Sequence, residues 1–303
     1  MSTDHPGKMR ISREQDRPSS LHLISWNVAG RVGCLDKQIA ALTQYKPDVI
    51  ALQEVRSKTA RPLREGLDRI GLGHCIDSFD LVPDPSLLKG PRQYGELIAS
   101  RWPLQSLPPS GFPVPWTERV LSALIDSPWG CIEIHTTHIP PGSSNGWMKI
   151  EMLEGIFTRL ACDSKHPRIL CGDFNTPQKE LPDGYIVTWG QSILSNGEIA
   201  GKRRWRGSAG RAGTDARWDS GERSVLEGLS KFDLSDVYRS LNGYEVEEFS
   251  HYVHGKQGRR FDHIFASGSL NAVRCGYLHF LREEGLSDHS AIEALFEPSR
   301  RAS

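Results

Sequence analysis

The stretch Ile169-Leu170-Cys171-Gly172-Asp173-Phe174-Asn175 decides how this chain is read. An apolar run long enough for a short strand is broken by Gly172, and an acid and an amide follow at once. Loops gather over the ends of a rigid sheet, and binding and catalytic side chains collect there. The same arrangement recurs along the chain. Leu21 to Val28 reads as a strand carrying Asn27 near its end, and Asp48 to Leu52 reads as a second strand running into Gln53-Glu54. Asp262 lies in Arg260-Phe261-Asp262-His263-Ile264-Phe265, and Asp288-His289 directly precede the last apolar run, Ser290 to Phe296. Oxygen ligands of this hard kind suit Mg²⁺, which takes one or two carboxylates and keeps several waters, and for which Mn²⁺ can substitute. His289, beside a carboxylate, can be held protonated as a donor to a phosphate oxygen.

Outward from these points the periodicity switches between strand and helix. Leu35, Ile39 and Leu42 predict a helix that stops before Pro47. Ile150, Leu153, Ile156, Phe157 and Leu160 share one face and predict a helix over 149–160. Further strands are expected at 97–100, 119–126, 130–139 and 261–266. Many short strands with few helices predict an α/β fold, two packed mixed sheets with helices outside, a four-layer sandwich. Residues 80–93 and 102–117 read as Pro-rich loops. Trp102, Phe112 and Trp116 in the second are expected to pack back on the core rather than stack on a base. Residues 195–223, poor in apolar side chains and rich in Gly, Arg and Ser, read as a long inserted loop.

Length and composition set the outer bounds. The chain has 303 residues, 38% of them hydrophobic, with 37 Lys plus Arg against 37 Asp plus Glu. One domain over 20–297 is expected, between a polar leader (1–19) and a short tail (298–303), since β-rich enzyme domains run to roughly 250 residues. The neutral total excludes a strongly basic, tail-driven nucleic-acid binder, so any polyanion site must be built from local charge. The leader lacks an apolar core, and no stretch approaches the roughly 20 apolar residues of a membrane helix. The six cysteines show no Cys-x-x-Cys spacing, against zinc and thioredoxin chemistry. His135 and His138, three apart on a strand, point to opposite faces, again against zinc. Gly71-Leu72-Gly73 is a loop, not a dinucleotide fingerprint. A cytoplasmic monomer is expected, with no protein partner inferable.

Taken singly, an Asp or Asn after a strand is usually a turn or helix cap. Their ordered co-occurrence carries more weight. Ser25-Trp26-Asn27, Ala51-Leu52-Gln53-Glu54, Thr137-His138, Gly172-Asp173-Phe174-Asn175, Phe261-Asp262-His263-Ile264 and Ser287-Asp288-His289 stand in this order. The chain thereby resembles the endonuclease/exonuclease/phosphatase superfamily, the deoxyribonuclease I-like fold that includes exonuclease III and the sphingomyelinases. The resemblance spans about residues 20–297. It implies a Mg²⁺ site at Glu54 helped by Asn27, with Asp288 supporting a second metal or the local fold. It implies that Asp173 positions or deprotonates the attacking water and that Asn175 donates to the scissile phosphate. His289 matches the phosphate-contacting histidine oriented by Asp262. His138 matches the second histidine of the deoxyribonuclease I and sphingomyelinase branches, with Glu118 as its acidic partner.

The branch is read from other residues. Phe232 to Tyr238, Phe249-Ser250-His251-Tyr252 and Arg259 to Asp262 resemble the exonuclease III branch, where an aromatic after Phe-Ser shapes the pocket for an abasic sugar. Here His251 and Tyr252 stand in its place, and Tyr94 corresponds to that branch's active-site tyrosine. Lys202-Arg203-Arg204-Trp205-Arg206 interleaves cations with an aromatic, the pattern that tracks a phosphate backbone and stacks on a base. The expectation is a Mg²⁺-dependent phosphodiester hydrolase, an endonuclease or exonuclease acting on DNA or RNA. The alternative is a phosphatase or phosphodiesterase of the same fold, acting on a sugar phosphate, an inositol phosphate or a phospholipid headgroup.

Overall fold

The computed structural model describes residues 18–82, 84–202, 215–253 and 257–298. The first sheet begins with β1 (Leu21–Asn27), β2 (Val49–Arg56), β3 (His74–Asp77) and β4 (Tyr94–Ser100). The second begins with β5 (Leu104–Ser106), β6 (Val120–Ser127), β7 (Gly130–His138) and β8 (Arg168–Asp173). Two small hairpins follow, β9 (Lys179–Glu180) with β10 (Ile186–Val187) and β11 (Gln191–Ile193) with β12 (Ile199–Gly201). Next come β13 (Ser235–Asp236) and the pair β14 (His251–Val253) and β15 (Gln257–Arg259). The chain ends with β16 (Asp262–Ala266), β17 (Ala272–Leu278) and β18 (Ala291–Phe296).

Both main sheets have six strands, ordered β17-β18-β1-β2-β4-β3 and β13-β16-β8-β7-β6-β5. Each has one parallel pair at its centre, β1 with β2 and β7 with β8, flanked by antiparallel strands. A parallel pair needs a crossover, and a helix supplies it. Helix α1 (Leu35–Thr43) links β1 to β2. After α2 (Ser57–Arg69), the one-turn α3 (Gly142–Asn145) and α4 (Met148–Leu160) link β7 to β8. Apolar side chains of the two inner faces, among them Leu23, Val49, Ala51, Leu121, Ile134, Ile169 and Ile264, form the central core. Outer cores lie under α1 and α2 on one side, and under α4 and α5 (Asp215–Leu226) on the other. The four-layer α/β sandwich expected from the sequence is the observed architecture.

Residues 195–223 are not one loop. The hairpin β11–β12 occupies part of the segment, and α5 begins at Asp215 and packs against α4. Apolar periodicity does not show α5, because its buried face is built from Trp218, Gly221, Glu222, Val225 and Leu226. Glu222 is buried there because it meets a lysine. The cations of this helix are engaged locally, Arg217 with Glu154 and Arg223 with Asp219 and Glu227. The Pro-rich loops do pack back on the core. Phe112 and Trp116 join the outer core, and Trp102 packs edge-on against Trp129.

Candidate active site

In open parallel sheets, ligands bind beyond the carboxyl ends of the strands. Both parallel pairs end at one place. Asn27 ends β1, Glu54 lies near the end of β2, His138 ends β7 and Asp173 ends β8. Asp262, first in β16, stands opposite Asp173, and His289 lies just before β18. Beneath them Gln53 ties the two sheets together, donating to Ser25 Oγ (3.1 Å) and to Thr136 Oγ1 (2.8 Å).

Local backbone aims these side chains. The β2–β4 pairing shifts register between Leu52 and Val55, and Glu54 there has a φ of 56°. A bulge re-aims a side chain, and this one directs Glu54 at the cleft. Asn175 also has positive φ (51°). Gly172 has a φ of 136°, and a Cβ there would meet the Thr137 carbonyl oxygen at 2.0 Å, so only glycine lets β7 and β8 approach so closely. Ser287 joins two motifs, since its hydroxyl donates to the Asn27 carbonyl (2.6 Å) and accepts from the His289 N–H (3.1 Å). Trp26 Nε1 donates to the His289 carbonyl at 3.2 Å.

Asp173 is the hub. Its Oδ2 accepts from Asn27 Nδ2 at 2.9 Å and faces the Nε2 atoms of His138 and His289, each at 3.7 Å. Burial, with Asp262 adding repulsion against the pull of His289, raises the Asp173 carboxyl to about 7. His289 Nδ1 meets Asp262 Oδ2 at 2.8 Å. Burial would lower this imidazole, but the carboxylates of Asp262 and Asp173 outweigh it and push it up to about 10, so His289 is a cation. His138 is the opposite case. Burial and the neighbouring Arg119 drive it well below the usual histidine range. The Arg119 guanidinium can only donate, so His138 Nδ1 accepts and its proton sits on Nε2, facing the cleft. Asn175 Nδ2 donates to the Ile139 carbonyl (2.9 Å) and lies 3.5 Å from both Asp173 Oδ2 and His138 Nε2. Three N–H groups thus converge beside Asp173, an arrangement made for an anion.

The residues at this point fit a divalent cation. Carboxylate oxygens of Glu54 and Asp173 lie within 4.8 Å of one another, hard donors for such an ion, while His138 beside them presents a protonated Nε2 and no lone pair. Asn27 departs from expectation. Its Oδ1 accepts from the Ala29 N–H (2.9 Å) and its Nδ2 faces Glu54 (3.2 Å) and Asp173, so it bridges the carboxylates instead of offering an oxygen to a metal. Asp288 lines the cleft, grouped with His251 and His289 rather than with Glu54.

Glu118 is not the partner of His138. Its carboxylate is held by Arg92 through bonds of 2.6 and 2.7 Å. Residues 117–119 form a 3₁₀ turn ahead of β6, and Val120 pairs with Thr137, which brings residue 119 opposite 138. Register therefore sets a cation, Arg119, against His138 where the resemblance implies an acid. Arg119 was missed altogether, and it also stands over the rings of Tyr94 and Trp116. Glu96 was missed too. Buried in the middle of β4, it is raised well above the carboxylate range by burial, against the pull of Arg119. A charged residue inside the apolar run 94–100 was the available signal.

Tyr94 lines the cleft, its hydroxyl meeting Arg56 Nη2 at 3.1 Å. Tyr252 does not. Alternate residues of a strand face opposite ways, so His251 and Val253 line the cleft while Tyr252 points outward against Arg282. The His251 ring lies 4.4 Å from that of His289, nearly parallel to it. Arg203, Arg204, Trp205 and Arg206 lie outside the described residues. The cleft encloses about 740 Å³; Lys149, Trp189 and Trp218 add a wall that no motif announced, and Lys202, the first residue of the basic stretch, joins it.

Comparison with known proteins bears on the family and the fold. The Endonuclease/Exonuclease/phosphatase family matches residues 24–289. Exodeoxyribonuclease III of Haemophilus influenzae is 25% identical over 297 residues, covering 91% of this chain and all of the relative. An AP endonuclease from Archaeoglobus fulgidus superposes with a TM-score of 0.64 at 21% identity, over 91% of this chain and 99% of that one. A 3′ phosphatase from Neisseria, bound to a product DNA hairpin, gives 0.59 at 17% identity, over 91% and 99%. At these identities the solved structures show a shared fold.

Proposed function

The chain belongs to the endonuclease/exonuclease/phosphatase family, and from that premise we propose that it is a Mg²⁺-dependent phosphodiesterase cleaving nucleic acid by in-line attack of water. The observation that carries this reading is the convergence of the His138, Asn175 and His289 N–H groups beside Asp173, with Glu54 adjoining. DNA as the substrate class is supported by the relatives, an exodeoxyribonuclease, an AP endonuclease and a phosphatase holding a DNA product.

Glu54 would hold the ion, which when bound offsets the charge that develops on the phosphoryl and leaving oxygens. The His289 imidazolium, fixed by Asp262, donates from Nε2 to a phosphoryl oxygen. Asn175 Nδ2 and the Nε2–H of neutral His138 donate to the same group, and their burial strengthens each bond. Asp173 orients the water and takes its proton.

A substrate panel tests this. Duplex, single-stranded and abasic DNA, RNA, a phospholipid and a sugar phosphate are offered with Mg²⁺ and with chelator, Asp173→Ala serving as control. Metal-dependent oligonucleotide cleavage is expected, weakening as salt rises. Turnover of lipid or sugar phosphate with every oligonucleotide untouched would replace the nuclease reading by the alternative.

His251 and Tyr252 give a sharper contrast. His251→Ala removes a ring stacked on the catalytic imidazole and is expected to lower kcat/KM about tenfold. Tyr252→Ala, 40% exposed and outside the cleft, is expected to stay within about twofold. Steady-state kinetics on one oligonucleotide compare them, and equal losses would contradict the facing of β14.

A further inference from the structure

The backbone N–H, the backbone carbonyl and the side-chain Nδ2 of Asn175 are each held. Its N–H donates to Asp173 Oδ1 at 2.9 Å and its Nδ2 to the Ile139 carbonyl. Those bonds follow from the motif itself. Its carbonyl oxygen is held from elsewhere, accepting from Lys149 Nζ (2.9 Å) on α4 and from Trp189 Nε1 (3.1 Å) after β10. Lys149 in turn faces Glu222 of α5 at 2.5 Å, and both side chains are almost fully buried, 1% and 0% exposed. The Glu222 carboxylate also accepts from Trp218 Nε1, Thr176 Oγ1 and the Trp189 N–H, each at 2.8 Å. One buried acid therefore grips the lysine, the tryptophan backbone and the residue after Asn175.

Such a pair is a poor source of stability, because desolvation offsets the attraction. What it does supply is fixed geometry. A left-handed residue other than glycine persists where its surroundings over-determine it, and the Asn175 backbone is left-handed. If the carbonyl were released, the residue could relax toward ordinary backbone and turn its amide away from Asp173 and His138.

We propose that Lys149, Glu222 and Trp189 are positioning residues for the reaction, holding the Asn175 carbonyl so that its side-chain amide stays aimed at the substrate phosphate. The inference rests on the reading of Asn175 as a phosphate donor. It gives α5 a part in catalysis, although no residue of that helix lies in a family motif.

The test uses Trp189→Phe in the full-length protein. This keeps a ring in place and removes only the N–H to the Asn175 carbonyl. A fall in kcat of about tenfold is expected, the size of one ordinary hydrogen bond, with KM within about twofold. Lys149→Met leaves Glu222 three other donors and is expected to fall further in the same way. A double-mutant cycle with Asn175→Ala separates positioning from general damage. If Trp189 acts through Asn175, the Trp189→Phe loss shrinks below about twofold in the Asn175→Ala background. A full loss there, or an unchanged kcat in both single variants, overturns the proposal. A substrate-free readout keeps this apart from failure of the phosphodiesterase reading. The Asn175 side-chain amide resonances, identified by their disappearance in Asn175→Asp, are expected to shift or broaden in Trp189→Phe. Unchanged resonances overturn the positioning role even if no substrate is ever turned over.

Discussion

Asp173→Asn, assayed at saturating Mg²⁺, is expected to lose roughly 10³–10⁴-fold in kcat, near the upper end for a general base. The amide keeps the shape of the carboxylate, so Asn27 and the two imidazoles keep their neighbour. It cannot take a proton from water, and it removes a negative charge from the point where His289 Nε2 and His138 Nε2 meet. Stability is expected to move the other way. Asp173 is raised in the folded state from 3.8 to about 7, so its ionised form opposes folding, and stability falls as pH rises through that window. In chelator at neutral pH, Asp173→Asn should therefore melt no lower than the parent chain. A kcat within tenfold of the parent would remove Asp173 from the chemistry. A melting point well below the parent's would mean that its charge is structural.

The second large effect concerns stability alone. Glu180 of β9 is almost fully buried between Arg260 (2.5 and 2.8 Å) and Arg239 (2.7 Å). Arg260 also meets Asp236 Oδ2 (2.7 Å), and Asp236 meets His263 Nδ1 (3.2 Å), whose Nε2 contacts the Thr176 carbonyl at 2.9 Å. This network is the floor under the catalytic loop. Glu180→Ala leaves Arg260 with Asp236 and Arg239 with the Gly243 and Val246 carbonyls, a weakened buried network, which costs about 3 kcal/mol and should lower Tm by roughly 5–10 °C. Burial opposes the Glu180 charge, but the arginines outweigh it and hold the carboxyl at about 2, below its ordinary 4.5. A depressed carboxylate stabilises above its unfolded pKa and loses that contribution as pH falls toward the folded one. The difference corresponds to about 3 kcal/mol, lost between pH 4.5 and 2. Urea midpoints of parent and variant, measured from pH 7 down to 2, should converge across that window. Unfolding free energies that differ by less than about 1 kcal/mol at pH 7 would show that the network contributes little.

Much of the site was legible because its residues lie at strand ends within short motifs. Asn27, Glu54, His138, Asp173, Asn175, Asp262 and His289 all meet in one cleft, as the motif order implied. The errors share a cause. Glu118 and Arg119 are neighbours in a 3₁₀ turn, and only the β6–β7 register decides which one faces His138. Tyr252 and His251 are neighbours on a strand, and only the facing of β14 decides which one lines the cleft. A one-residue change of register moves a side chain to the other face, and no local pattern reports it.

Helix α5 was missed for a different reason. Its buried face depends on Glu222 finding Lys149, a contact between residues 73 positions apart. The sequence by itself determined the alternation of strands and helices, the layered architecture and the motif residues, because local periodicity and the placing of polar residues at strand ends are properties of the chain. Only the tertiary structure decided which way Asn27 turns its amide, that Arg119 sets the proton of His138, and that Lys149, Trp189 and Glu222 hold Asn175. Those depend on hydrogen bonds and charge pairs between distant segments, formed once the two sheets bring their parallel strand ends together.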